Sequence, residues 1–227
     1  MKFPDRLPIP PDVLKIAKRL EEAGFETWCV GGAIRDSLLG LAPEGYQGVY
    51  DLATAAPPEE VRRLFKRTVP VGIEHGTVAV LDADNRPHEV TTFRKDVETD
   101  GRHAKVVFGV SLMDDLARRD FTINAIAYHP LRHEWRDPFK GAEDLEKKKI
   151  RAVGDPYWRF REDYLRILRA LRFAARFGFQ IERATWDAAV ANVAGLAHLS
   201  AERVRDEWFK GIETAQKVSK LVQLWGE

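Results

Sequence analysis

The sequence predicts an α+β protein, with mixed strands and helices to about residue 140 ahead of an all-helical second half. Three observations carry this. Short β-like runs alternate with helix-spaced apolar residues as far as Phe108. From Tyr157 onward the pattern is helical, with Leu165, Leu168, Leu171, Phe173 and Ala174 forming one apolar stripe. At 227 residues and 44% hydrophobic, the chain can bury a substantial core, as one large domain or two small ones.

The elements follow in order. Pro11 to Ala23 reads as a helix, with Val13, Leu14, Ile16, Ala17 and Leu20 at helical spacing and Gly24 as its stop. Glu26 to Val30 is a short strand running into Gly31-Gly32, and a helix from Ala33 to Leu39 stops at Gly40. Leu41 to Val49 is loop, broken by Pro43, Gly45 and Gly48, and Tyr50 to Ala53 is a strand end. Pro57-Pro58-Glu59-Glu60 opens a helix through Phe65, with prolines and acids where a first turn favours them. Strands are expected at Val69 to Val71, Thr77 to Leu81 and His88 to Phe93, the last two joined by the turn Asp82 to Asn85. Lys95 to Lys105 is polar and expected to be mobile, with a short strand at Val106 to Phe108. Leu112 to Ala117 is helical, and Thr122 to Ala127 continues in helix or strand. Trp186 to Val193 and Ala201 to Ile212 are further helices, with Ser200 as a cap for the second.

Composition excludes several classes. No run of 18 apolar residues appears, which argues against a membrane span. The start, Met1-Lys2-Phe3-Pro4-Asp5, lacks a signal-peptide apolar region, so cytoplasmic residence is expected. The single cysteine, Cys29, rules out an internal disulfide framework and a cysteine-rich zinc site. A net charge of +1 says little about nucleic acid, but its distribution says more. Arg159, Arg161, Arg166, Arg169 and Arg172 gather in one stretch, and arginine forks match phosphates and base edges. A solvated helix face is the plainer reading of that stretch.

Four places carry chemistry. Gly31-Gly32, after a strand and before a helix, fits a turn through which phosphate approaches backbone N–H groups, with Arg35 one helical turn on; a bare Gly-Gly is also an ordinary turn. Asp51 ends one expected strand and Glu89 lies on another, and they offer hard oxygen ligands suited to magnesium, although a cap for the Thr54-Ala55-Ala56 turn is the plainer reading of Asp51 taken by itself. Arg118-Arg119-Asp120 with Asn124 combines phosphate donors, a ribose acceptor and an amide; an ion-pair cluster with Asp114 and Asp115 is the alternative. Asp163 and Arg166, three apart on one expected helix face, offer an acceptor and a donor fork to a base, with Arg169 and Arg172 extending that face; an intrahelical Asp–Arg pair is the alternative.

Taken in order, Val30 to Asp36, Asp51 to Thr54, Glu89 to Arg94, Arg118 to Ala127, Asp137 to Gly141, Glu162 to Phe179 and Ser200 to Arg203 closely resemble the bacterial and eukaryotic class of tRNA nucleotidyltransferases, the CCA-adding enzymes, and their poly(A) polymerase relatives. The resemblance implies a nucleotidyltransferase head at residues 1–140 and a helical, nucleotide-selecting neck at residues 141–227. It implies that Gly31, Gly32 and Arg35 hold the triphosphate, Arg119, Asp120 and Asn124 the phosphate and ribose, and that Asp163 and Arg166 read cytosine or adenine. Arg169 and Arg172 would support that reading, and Lys95 to Lys105 would be the family's flexible loop. Catalysis would fall to Asp51 and Glu89, with Asp51 a magnesium ligand. The partners implied are CTP, ATP and the tRNA 3′ end.

Two departures matter. The family carries Asp-x-Asp, both acids binding metal, but Val49 stands two residues before Asp51, in a loop that looks longer than usual. Valine ligates no cation, and Glu44 is the nearby substitute. The resemblance also implies body and tail regions after the neck, which are not expected in this sequence, and the end from Gln216 to Trp225 retains Val218, Leu221, Val222 and Leu224 to seal a helix end or meet another chain. The expectation is therefore an RNA nucleotidyltransferase impaired at Val49. Its rivals are a non-catalytic nucleotide- or RNA-binding relative of the same fold and a scaffolding role for the helical half.

Overall fold

The computed structural model describes residues 1–42, 49–99 and 104–226. Its elements run α1 (Pro11–Glu22), β1 (Thr27–Val30), α2 (Gly32–Leu38), β2 (Asp51–Thr54), α3 (Pro58–Leu64), β3 (Thr68–Gly72), β4 (Thr77–Leu81), β5 (Pro87–Thr92), β6 (Arg94–Thr99), β7 (Ala104–Phe108), α4 (Leu112–Ala117), β8 (Ala127–His129), β9 (Glu134–Arg136), α5 (Gly141–Glu146), β10 (Lys149–Ile150), α6 (Pro156–Glu162), α7 (Leu165–Phe177), β11 (Gln180–Ile181), α8 (Arg183–Ala191), α9 (Ala201–Thr214) and α10 (Val218–Gly226). The chain forms two compact units. The first comprises Met1–Lys95, Val106–Arg119 and Asn124–Ala142; the second holds Asp120–Ile123, the chain from Glu143 onward and the described part of the segment between Lys95 and Val106.

The first unit is built on a seven-stranded mixed sheet in the order β3-β4-β5-β2-β1-β8-β9. Strand β1 is an interior strand and every residue of it is buried, as expected of a strand covered on both faces. It pairs antiparallel with β2, placing Val30 beside Asp51, and with β8 on its other edge. Strand β2 then runs parallel to β5, with Leu52 beside Val90. Helix α1 buries Val13, Ile16, Ala17 and Leu20 of the stripe read from the sequence, while Leu14 is half-buried. Trp28, Tyr50, Leu52, Ile34, Leu116 and Tyr128 are among its largest fully buried side chains.

The second unit is helical around α7, whose apolar face buries Leu168, Leu171, Phe173, Ala174 and Phe177. Phe121 meets Phe173 edge-on, with centroids 5.8 Å apart. Gly178 adopts φ 66° as the C-cap of α7, a left-handed conformation glycine takes without Cβ strain. Leu221 and Leu224 bury one side of α10, whereas Val218 and Val222 stay exposed. No helix among the described residues is long and apolar enough to cross a membrane.

The structure corrects several readings. Asp51 begins β2 rather than ending a strand. The segment read as a mobile loop from Lys95 to Lys105 carries most of β6 and the start of β7, which form a two-stranded sheet; residues 100–103 lie outside the described residues. These strands were hidden because backbone pairing does not need an apolar stripe, and Arg94-Lys95-Asp96-Val97-Glu98-Thr99 has none. Thr122 to Ala127 divides into a 3-10 turn at Thr122–Asn124 and the start of β8. The second half is not purely helical, since β10 and β11 form a parallel ladder too short for periodicity to register. Finally, Trp186 to Val193 is replaced by α8 at Arg183–Ala191 and a 3-10 turn at Val193–His198.

Candidate functional site

In the first unit, β1 delivers the chain to Gly31, which adopts φ 74° and ψ −138° as the residue before α2. A side chain is excluded there by that backbone and by crowding. A Cβ would stand 3.2 Å from Asp51 Oδ2 and 3.6 Å from Arg119 Nη1. At Gly32 a Cβ would lie 3.5 Å from Arg35 Nη2. Gly31, Asp51 and Arg119 thus converge at the C-terminal end of β1, with Gly32 packed against Arg35. Because α2 has only seven residues, bare glycine backbone and adjacent guanidinium charge are the features that suit an anion here.

The charged groups are held unequally. Arg35 is buried and tied to Asp36 Oδ1 at 2.8 Å through Nε and to Asn124 Oδ1 at 2.6 Å through Nη1. Arg119 donates from Nη2 to Asp115 Oδ2 at 2.9 Å, while its Nε is buried with no hydrogen-bond partner among the described residues. Burial pushes Asp115 up, but Arg119 and Arg118 outweigh it and hold the carboxyl below the ordinary range. Asp114 has a separate task, closing a capping box with Ser111 at the start of α4. Asp51 is different. Among the described residues its carboxylate accepts no hydrogen bond and forms no ion pair. Burial pushes its pKa up to about 6, Glu89 adds to the rise, and Arg119 and Arg35 oppose it.

Extending the β2–β5 register by one residue from Leu52 and Val90 places Asp51 beside Glu89 on one face of the sheet. This pair of carboxylates fits a hard divalent cation whose other ligands are phosphate oxygens and water. Val49 is exposed and brings no donor, and Glu44 lies outside the described residues. Among the described residues no group of three or more His, Cys, Asp or Glu side chains is placed to hold a metal ion. The pair therefore suits one ion shared with a ligand, and among the described residues no further carboxylate is placed for a second.

In the second unit the candidate residues are already partnered. Asp163 does not share a helix face with Arg166 as expected. It sits in the break between α6 and α7, with φ −155° and ψ 107°, and its carboxylate accepts from Leu165 N at 3.1 Å. Arg203 Nη2 donates to both of its oxygens, at 3.1 and 2.9 Å. Arg166 Nη1 donates instead to Glu162 Oε2 at 2.6 Å and to the Arg159 carbonyl at 2.9 Å. Asp120 Oδ2 accepts from Arg169 Nε and Nη2 at 2.8 and 2.6 Å, and its Oδ1 from Phe121 N at 2.7 Å. Burial works against the charge on Arg169, yet Asp120 keeps its pKa above the ordinary value. Arg172 is buried against Glu207, and that burial lowers its pKa. Sequence reasoning quoted Arg203 without giving it a task and missed Glu207 altogether. The one available signal was their spacing of four on α9, which puts both on one helix face.

A family model described as "Poly A polymerase head domain" matches residues 27–151. The chain belongs to that family. A second model, "Probable RNA and SrmB- binding site of polymerase A", matches residues 178–225. Over 214 residues the chain is 49% identical to the CCA-adding enzyme of Leuconostoc mesenteroides, covering 92% of this chain and 51% of that protein. Over 199 residues it is 47% identical to the CCA-adding enzyme of Lacticaseibacillus paracasei, covering 86% and 48%. A crystal structure of the Bacillus stearothermophilus CCA-adding enzyme in complex with CTP matches with a TM-score of 0.85 at 41% identity, over 95% of this chain and 52% of that one. This family member thus spans about half the length of the curated relatives it matches.

Proposed function

We propose that this chain carries the head and neck of a tRNA nucleotidyltransferase, adding CMP or AMP from CTP or ATP to an RNA 3′ end. The observation that carries the reading is the convergence of Gly31, Arg119 and Asp51 at one strand end, with the Asp51 carboxylate unpartnered among the described residues. Similarity to CCA-adding enzymes supports the substrate class. In this reading the Gly31-Gly32 backbone, Arg35 and Arg119 hold the triphosphate, and Asp120 and Asn124 serve the phosphate and ribose. The Asp163 carboxylate accepts from the exocyclic amino group of cytosine or adenine, and Arg166 donates to the base's ring nitrogen, with Arg169 and Arg172 in support. Uracil and guanine present the opposite donor and acceptor at those edges, so they are rejected. The RNA 3′ hydroxyl attacks the α-phosphorus and pyrophosphate departs. Asp51 and Glu89 would hold magnesium, which when bound activates the attacking hydroxyl and neutralises charge on the leaving group.

Val49 favours a second reading, nucleotide binding with poor turnover. It stands where the resemblance leads one to expect a carboxylate, and it is exposed. Labelled CTP and ATP, magnesium and a tRNA lacking its 3′ end separate the two. Extension by the wild type supports the enzyme. Tight CTP binding without extension, cured by Val49→Asp, identifies the missing carboxylate as the defect. Persistent silence in that variant with intact CTP binding favours the binding relative.

A further inference from the structure

The ladder between β2 and β5 has an unusual last rung. Its backbone register runs Leu52 beside Val90, Ala53 beside Thr91 and Thr54 beside Thr92. Stepping back puts Asp51 beside Glu89 and Tyr50 beside His88. Side chains alternate across a strand, so these two pairs occupy opposite faces. Tyr50 and His88 lie on the inner face, each 1% exposed. At this rung the Tyr50 backbone N–H donates to the His88 side chain, at Nδ1, 3.2 Å away.

That bond fixes the ring. Nδ1 must be bare to accept from an amide, so the proton of the neutral imidazole sits on Nε2. Nε2 lies 3.3 Å from Asp82 Oδ2 in a buried pair. Asp82 is itself locked by its turn. Its Oδ1 accepts from Asp84 N and Arg86 N, both at 2.9 Å, and its Oδ2 from Arg86 Nε at 2.8 Å. A closed turn therefore holds a histidine, and the histidine holds the backbone one residue before Asp51. Val49, the residue before that, is exposed, so Tyr50 is a buried anchor directly ahead of β2.

We propose that His88 is a positioning residue that fixes Asp51 opposite Glu89 by capturing the Tyr50 N–H, a role that rests on the cation reading of that carboxylate pair given above. A one-residue slip of β2 turns Asp51 to the inner face and separates it from Glu89. His88 opposes that slip from the face that carries no ligand.

The test compares wild type with His88→Asn, His88→Gln and His88→Phe. Asn places its carbonyl oxygen where Nδ1 stands and keeps the acceptor for Tyr50. Gln reaches the Nε2 position and keeps only the link to Asp82. Phe keeps neither. Mn2+ binding is measured by electron paramagnetic resonance, CTP affinity in EDTA by calorimetry, and the Tyr50 amide by hydrogen exchange. The Phe and Gln variants are expected to lose about 10–100-fold in Mn2+ affinity. Their Tyr50 amide exchanges faster and their CTP affinity in EDTA is unchanged. Asn restores both Mn2+ binding and amide protection. Equal Mn2+ affinity in all four proteins overturns the role of His88, as does a common loss in all three variants together with CTP affinity. Wild-type protein that takes up no Mn2+ overturns the cation reading itself, a result distinct from either.

Discussion

Asp51 in the first unit lies half-buried beside Glu89 with no ion pair or hydrogen bond on its carboxylate among the described residues, whereas in the second unit Asp120, Asp163 and Glu207 each close on an arginine. The physical terms are opposite. Burial and a like charge raise the proton affinity of Asp51, so the folded first unit carries a tension that a bound cation would relieve. The second unit neutralises its own charges and gains fixed geometry from charge-assisted arginine–carboxylate hydrogen bonds. The contrast separates two states of a carboxylate: one has no partner among the described residues, and the others are fixed by theirs.

The sharpest way to break this contrast is to remove the unsatisfied group. In a Val49→Asp background that extends RNA, Asp51→Asn is expected to lower the rate by about 10²–10³-fold, since metal-based charge stabilisation is worth several kcal/mol. Single-turnover extension measures it, and a rate within a few-fold of the parent would remove Asp51 from the chemistry. Next in size is a break in the satisfied unit. Glu207→Gln strands the Arg172 charge in a buried setting and should cost about 3 kcal/mol of stability, read from urea unfolding. A cost near zero would mean that water reaches the pair.

A smaller effect tests positioning on the helical side. Arg203→Gln releases the Asp163 carboxylate and is expected to narrow the preference for CTP over UTP by about tenfold, the worth of one well-placed base contact. Competition binding shows it, and Arg203→Lys should recover part of the selectivity through a single donor. The smallest effect is a pH signature confined to the first unit. The pKa of Asp51 is raised in the folded state, to about 6. Between the ordinary carboxylate range and pH 6 the folded protein therefore binds more protons than the unfolded chain, and stability falls as pH rises. Asp51→Asn should melt higher than wild type at pH 7.5, and the gap should close at pH 4. A gap that widens on acidification would reverse the assigned sign.

Local signals made much of this visible before any coordinates. The apolar stripe of α1, the buried run of β1 and the turn at Gly31 depend on neighbours in sequence, and periodicity and backbone freedom report such neighbours directly. The resemblance likewise rested on short contiguous motifs. The β6/β7 pair and the β10/β11 ladder escaped because their strands are polar or two residues long. The partners of the charged residues escaped for a different reason. Asp163 looked like the partner of Arg166, three residues on, and instead took Arg203, forty residues away. Asp120 took Arg169, and Arg172 took Glu207.

The sequence alone determined which residues have chemistry to offer, where the chain must turn without a side chain, and which faces must be buried, because those follow from residue type and spacing. Only the tertiary structure decided which charges are paid off by a neighbour and which are left for a ligand. That choice depends on long-range approach and burial, and a pKa responds to both while a motif records neither. Val49 falls on the same divide: the sequence has valine where the resemblance leads one to expect a carboxylate, and the β2–β5 register extended by one residue sets Asp51 beside Glu89, with the Tyr50 backbone tied to His88 one residue earlier.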